Sequence, residues 1–290
     1  MLRRPLLALA VAAVSALPAW AQAAPAPAPA TAAPAAAHAP VAAIPGSEAL
    51  VAHRAAYTLE LERARERSQV RQAKGSMMFE VTDACEGWAT HQRLTMTLTD
   101  AEGNDIETAS DYSTYETKDG RRLRFSMVQS AQGAVSNRIS GEAVLEADGS
   151  GIVTYAQPAA KTERLPPGTL LPMLHTLRAI QLARGHGRLM SVPLFDGTGE
   201  DGAQDSTTIV AGWSGPQPNQ RFSVLSALSS ARLRIAFFSR DSQGVGASAP
   251  DYEVGLRYYE NGVADELSMD FGDFTMAGRL GELEILPSGC

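Results

Sequence analysis

The chain lacks an apolar run of membrane-spanning length: residues 6–17, broken by Ser15, make about a dozen where a transmembrane helix needs roughly 20. Cysteine is almost missing, with two in 290 residues, and the first is Cys85, so no thiol stands near the N-terminus to carry a lipid anchor. A surplus of positive charge is missing too. Arg3 and Arg4 leave with an N-terminal signal, so 23 of the 25 basic residues face 32 acidic ones, a formal charge of −9. Such a chain is repelled by phosphate backbones and anionic headgroups, which excludes nucleic acid as the expected partner.

Signatures of chemistry are equally sparse. His53, His91, His175 and His186 show no metal-ligand spacing on a shared face, and there is no His-Glu-x-x-His. His38 falls in a segment read below as a tether. Gly149-Ser150-Gly151 lacks the spacing of a nucleophile elbow. Asp196, Thr198 and Glu200 resemble part of a calcium loop, yet Asp201 stands where the obligatory glycine belongs, so a solvated turn is expected. Asp270 and Asp273 suit backbone capping in a turn better than paired acid catalysis. No catalytic residue, metal or cofactor is predicted.

What is present begins with an export signal. Arg3 and Arg4 precede the apolar stretch, and Ala21-Gln22-Ala23 offers small residues for cleavage after Ala23. Alanine and proline then alternate, a composition that cannot offset its ordering entropy and favours an extended tether. The predicted organisation is a signal over 1–23, a tether over 24–46 and one domain over 47–290, with the periplasm as destination and no integral membrane span in the mature chain. About 240 residues suffice for one sizeable core.

Within that domain, period-two alternation recurs, as in strands with one buried face. Leu94, Met96 and Leu98 alternate with threonines; Leu233, Ile235 and Phe237 alternate with Arg232, Arg234 and Ala236; Tyr57, Leu59 and Leu61 alternate with Thr58, Glu60 and Glu62. Asn261-Gly262 suits a type I′ hairpin turn, and Asp119-Gly120 and Asp148-Gly149 mark others. The pattern predicts a mainly β fold, one antiparallel sheet of about twelve to fourteen strands. Residues 169–184 are the exception. Leu170, Met173, Leu174, Leu177 and Ile180 fall at helical spacing, with Thr169 as the expected cap and Gly185 as the stop.

Two cysteines in an exported chain are expected to pair, and a redox role is disfavoured because Asp83 and Glu86 would raise the Cys85 thiol. Trp88 is expected as core beside that bridge. Trp213, in a Gly-Pro-rich stretch, is a contact candidate, as are His175 beside the helix stripe and the His53-Arg54 pair. His175 is expected to bond a strand backbone.

Several short motifs then stand in a telling order: His53-Arg54-Ala55-Ala56-Tyr57, Cys85-Glu86-Gly87-Trp88, and Leu165-Pro166-Pro167-Gly168-Thr169 running into His175. Phe195-Asp196-Gly197-Thr198-Gly199, Tyr259-Glu260-Asn261-Gly262, Asp270-Phe271-Gly272-Asp273-Phe274 and the terminal Cys290 follow. This set, over about 49–290, resembles the cell envelope integrity protein EipB family of periplasmic proteins, formerly a domain of unknown function. The resemblance implies a closed β-spiral with a helix in its curve, a Cys85–Cys290 bridge, a role in envelope maintenance, and a likeness in shape to periplasmic lipoprotein carriers. It carries no catalytic residues. The leading expectation is therefore a non-enzymatic protein that binds an envelope protein or a lipid or lipoprotein segment. The alternatives are a hydrolase or lipid-modifying enzyme assembled only in three dimensions, and a scaffold whose interior is filled by its own helix.

Overall fold

The computed structural model describes residues 42–240 and 249–290; the predicted signal, most of the predicted tether and His38 lie outside the described residues. The strands of the first half are β1 (His53–Ala64), β2 (Gln72–Asp83), β3 (Gly87–Thr99), β4 (Asp105–Thr117), β5 (Arg122–Ala131), β6 (Ala134–Leu145), β7 (Gly151–Gln157) and β8 (Lys161–Leu165). After helix α1 (Pro172–Arg184) come β9 (Leu189–Leu194), β10 (Gln204–Ser214), β11 (Ser230–Phe238), β12 (Tyr252–Tyr259), β13 (Ala264–Asp270) and β14 (Phe274–Ile285).

All fourteen strands form one sheet, ordered β8-β7-β6-β5-β4-β3-β2-β1-β14-β13-β12-β11-β10-β9. Every neighbouring pair is antiparallel. Two meanders thus meet at the β1–β14 seam, where His53 pairs with Ile285 and Leu59 with Gly278. The predicted alternation is visible in β1, whose Ala55, Tyr57 and Leu59 are buried between exposed Arg54, Thr58 and Glu60. The largest core joins these β1 residues to Leu233 and Ile235 of β11 and to Ala179 and Ala183 of α1, so the sheet curls its buried face around the helix.

Among the described residues no ladder joins edge strands β8 and β9; the segment that follows β8 meets β9 through one parallel bridge, Leu170 with Leu194. Leu170 donates to Pro193 O at 2.9 Å and accepts from Phe195 N–H at 3.0 Å. Pro193 has no N–H to offer, and β8 is short and charged (Lys161, Glu163, Arg164), both features that blunt an edge against pairing. A second core seals this region, where Phe125, Tyr155 and Phe195 stack edge to face with centroids 5.4–6.4 Å apart.

The hairpin at Asn261-Gly262 departs from expectation. Gly262 has φ +89° while Asn261 is not left-handed; Gly262 N–H bonds Tyr259 O and Tyr259 N–H bonds Val263 O. That is a type I turn followed by a glycine bulge rather than a type I′ turn, and Glu146–Ser150 with Gly149 repeats it.

The helix starts later than predicted. Thr169 does not cap it: its hydroxyl donates to Pro166 O at 2.6 Å, and Leu171 is an extended N-cap without a side-chain bond. Pro172 occupies the first turn, where no N–H is needed. The orphan donors of that turn go instead to Glu116, buried on β4: Met173 N–H reaches Oε2 at 2.7 Å and Leu174 N–H reaches Oε1 at 2.9 Å. Burial pushes the Glu116 carboxyl up to about 8, against the two N–H bonds that hold it down. At the other end the left-handed residue is His186 (φ +60°), one past Gly185; Gly187 N–H bonds Leu182 O and His186 N–H bonds Ala183 O, a Schellman closure.

The N-terminal boundary lies slightly before 47. Ile44 N–H bonds Lys118 O at 3.1 Å, Gln181 donates to Pro45 O at 2.9 Å, and Ile44 packs on the Trp88–Leu177–Ile180 cluster. Cys85 and Cys290 are joined, their Cα atoms 5.5 Å apart. Cys85 is left-handed (φ +65°) and its N–H bonds Asp83, which also takes Lys118 Nζ at 2.6 Å and the Ser288 hydroxyl at 3.3 Å. Lys118 lies 5.0 Å over the buried Trp88 ring, so the bridge region, the tryptophan and the start of the chain's ordered contacts share one neighbourhood.

Two stability measurements follow. Glu116→Gln places an amide N–H2 against a helix N–H, and should lower the unfolding free energy by about 1–3 kcal/mol. An unchanged urea midpoint would remove Glu116 from its capping role. Reducing the bridge, which spans a sequence separation of 205, should lower stability by up to about 5 kcal/mol in the chain-entropy treatment, read as the shift in urea midpoint with and without reductant.

Candidate functional site

The curled sheet lines a partly open hollow of about 380 Å³. Its walls come from both meanders and from the first turns of α1, so residues distant along the sheet face each other across it. The β11–β13 wall is hydrocarbon and aromatic: Ile235, Phe237, Val254, Leu256, Leu267 and Met269. The β3–β4 wall is polar and uncharged, with Thr90, Gln92, Ser110 and Thr114. Both arise from the same two-residue period. The inward positions of β11 and β12 that reach the hollow hold aliphatic and aromatic side chains, whereas those of β3 and β4 that reach it hold hydroxyls and an amide.

Three tyrosines stiffen the lining. Tyr57 donates to Ala264 O at 2.8 Å, Tyr112 donates to Asp196 O, and Tyr258 meets the Thr176 hydroxyl at 3.4 Å. Thr90 and Thr114 share a hydrogen bond across β3 and β4. Burial raises the phenols of Tyr57, Tyr112 and Tyr258 above the ordinary tyrosine value, which keeps them neutral donors.

Two sequence candidates line this hollow. His53, buried on β1, meets Val51 O through Nδ1 at 2.9 Å; burial lowers its ring below the usual histidine value, partly offset by that carbonyl. His175, buried on α1, meets the Thr208 hydroxyl of β10 at 3.2 Å through Nε2, and desolvation brings it down to about 4. The predicted backbone partner of His175 is thus a strand side chain instead. Neither ring has a serine or aspartate partner among the described residues.

The other two candidates lie elsewhere. Arg54 follows His53 on β1 and so points to the opposite face, where it is exposed and paired with Glu80 at 2.6 Å and Glu284 at 3.0 Å. His53 and Arg54 therefore cannot act on one ligand. Trp213 belongs to strand β10, not a loop, and its half-buried ring packs on the main core and the Trp88 cluster. Asp196 turns inward as an Asx-type turn, its Oδ1 taking Thr198 N–H at 2.9 Å and the Thr198 hydroxyl at 2.7 Å. Asp270 likewise takes Gly272 N–H at 2.9 Å. No group of three or more potential metal-ligating side chains occurs among the described residues.

Sequence reasoning missed Glu116, Gln92, Ser110 and the tyrosines. The signal was the strict alternation Ser110, Tyr112, Thr114, Glu116 along β4. It was concealed because the buried side of that strand is polar, so no apolar period announces it.

The pH dependence of stability follows from these burials. His175 has a lowered pKa in the folded state, so the unfolded chain takes its proton first and stability is lost as pH falls from about 6.5 towards about 4. Glu116, raised, acts oppositely, its contribution fading as pH rises from about 4.5 to about 8. Comparing the unfolding free energy of His175→Asn with that of the natural chain isolates the histidine: the variant should lose less stability between pH 6.5 and 4. Parallel curves would contradict this.

The fold has known counterparts. Residues 45–287 match the family profile described as EipB-like. The chain is 31% identical over 255 residues to the cell envelope integrity protein EipB of Brucella abortus (strain 2308), covering 87% of this chain and 90% of that protein. It also superposes on the crystal structure of a β-barrel-like protein of domain of unknown function DUF1849 from Brucella abortus. That match has a TM-score of 0.74 and 28% identity, covering 82% of this chain and 99% of the other. With the match running through nearly the whole described domain, the chain belongs to the EipB-like family.

Proposed function

We propose that this protein is a non-enzymatic periplasmic component that supports cell envelope integrity by holding an apolar segment, a lipid or lipoprotein acyl chain, in the hollow of its curled sheet. The single observation that carries this reading is a hollow of about 380 Å³ with one mainly apolar wall. A protein serving only as a scaffold gains nothing from leaving that space, since filling it with side chains would add to stability. Helix α1 could have filled it. Instead Leu177 and Ile180 pack towards Trp88 and Ala179 and Ala183 towards β10 and β11, leaving the turn of Met173, His175 and Thr176 at the hollow's edge. The kinship with an envelope integrity protein and the N-terminal export signal support the compartment. Among the described residues no helix is long and apolar enough to cross a membrane.

The test is native mass spectrometry of the mature protein purified from its own cells, with solvent extraction of any adduct, and crosslinking in cells. A non-covalent lipid-sized adduct is expected, and Leu256→Trp, which fills the hollow from β12, should lose it while keeping its circular dichroism spectrum. If neither ligand nor crosslinked envelope protein is recovered, the reading fails. If a crosslinked protein appears with an empty hollow, binding is by an outer surface and the acyl reading fails.

A further inference from the structure

The two walls of the hollow differ in a way that specifies the ligand, and the inference rests on the binding reading above. On the β3–β4 wall, the side chains of Gln92 and Ser110 have no hydrogen-bond partner among the described residues, and neither does the Tyr252 hydroxyl at the opposite wall. Gln92, Ser110 and Tyr252 are half-buried rather than sealed, so water can reach these groups, and a ligand that offers donors and acceptors can take its place. His53 adds an acceptor. With Nδ1–H on Val51 O and the ring held neutral by burial, Nε2 is left with a lone pair.

Charge is what the lining lacks. Among the described residues no lysine or arginine lines the hollow; the arginines of the nearby strands are on the outer face, as in Arg93 with Asp111, Arg232 with Glu266 and Arg234 with Glu253. The one acid of the lining among the described residues, Asp196, is occupied by Thr198. An anionic headgroup entering this space would be desolvated with no cation to meet it. Size narrows the choice further. At about 30 Å³ per non-hydrogen atom, the share of a liquid water, the hollow holds on the order of a dozen such atoms. That seats one short acyl stretch and a small head.

We propose that the hollow takes an uncharged single-chain amphiphile of the acylglycerol class. Its hydroxyl and ester groups lie on Gln92, Ser110 and His53, and its hydrocarbon lies on the β11–β13 wall.

The test is calorimetric titration of the mature protein with 1-monooctanoylglycerol and, in parallel, octyl phosphate, each kept below its aggregation concentration. The neutral amphiphile should bind at least about 100-fold more tightly than the phosphate. Gln92→Leu combined with Ser110→Ala should weaken monooctanoylglycerol by about tenfold and leave octyl phosphate unchanged. If that variant fails to fold, the comparison on the natural chain still decides. Equal affinities, or a preference for the phosphate, would overturn the neutral-ligand inference while leaving the acyl-binding reading in place. Binding of neither probe would overturn it as well, and the recovery of a native adduct then decides separately whether the binding reading falls.

Discussion

A buried carboxyl on β4, Glu116, takes both free N–H groups at the start of helix α1 and thereby decides where the helix sits in the curve of the sheet. Desolvation of that carboxyl is expensive, and two N–H bonds together with the positive end of the helix offset only part of it. The contact is long-range, 57 and 58 positions apart in sequence, so it ties the first meander to the connection between the meanders. From that anchor the helix runs with Leu177 and Ile180 against Trp88 and with Ala179 and Ala183 against the main core. The hollow exists because the helix is held to one side of it.

The sheet itself sorts charge by its period of two. Outward positions on β1, β3, β5 and β11 carry arginines matched by glutamates and aspartates on neighbouring strands, while inward positions are neutral. Such exposed pairs contribute little to stability individually. Their value is in register and solubility, because a one-residue slip would send the whole charged row inside. The same rule that separates His53 from Arg54 along β1 leaves a lining of hydroxyls, amides and hydrocarbon.

The start of β1 and the C-terminal segment are secured near the β1–β14 seam. Leu286 N–H bonds Ala52 O at 2.8 Å, and the Cys85–Cys290 bridge fastens the last residue to the turn between β2 and β3. The Asp83 carboxylate links that turn to Lys118 beyond β4 and to Ser288 of the C-terminal segment. At the other end of the strand order, the segment after β8 and strand β9 share a single bridge at Leu170 and Leu194. The covalent and hydrogen-bonded ties therefore concentrate near the seam, and the join between the two ends of the strand order is lightly held.

Sequence alone determined what depends on neighbours along the chain: the antiparallel β class, its strand number to within a few, a helix within 169–184, the cysteine pair and the family resemblance. Alternation of apolar residues on β1 and β11 is a local pattern, since side chains two apart share a face whatever lies opposite. Only the tertiary structure decided which faces meet. Glu116 reads as one more polar residue of β4 until the helix terminus arrives beside it, and Gln92 and Ser110 read as surface until the sheet curls them inward. Trp213 was misplaced for the same reason, because its burial comes from distant strands rather than from the Gly-Pro stretch beside it. Burial, pairing and a lined hollow are properties of contacts between segments far apart in the chain, which no local spacing records.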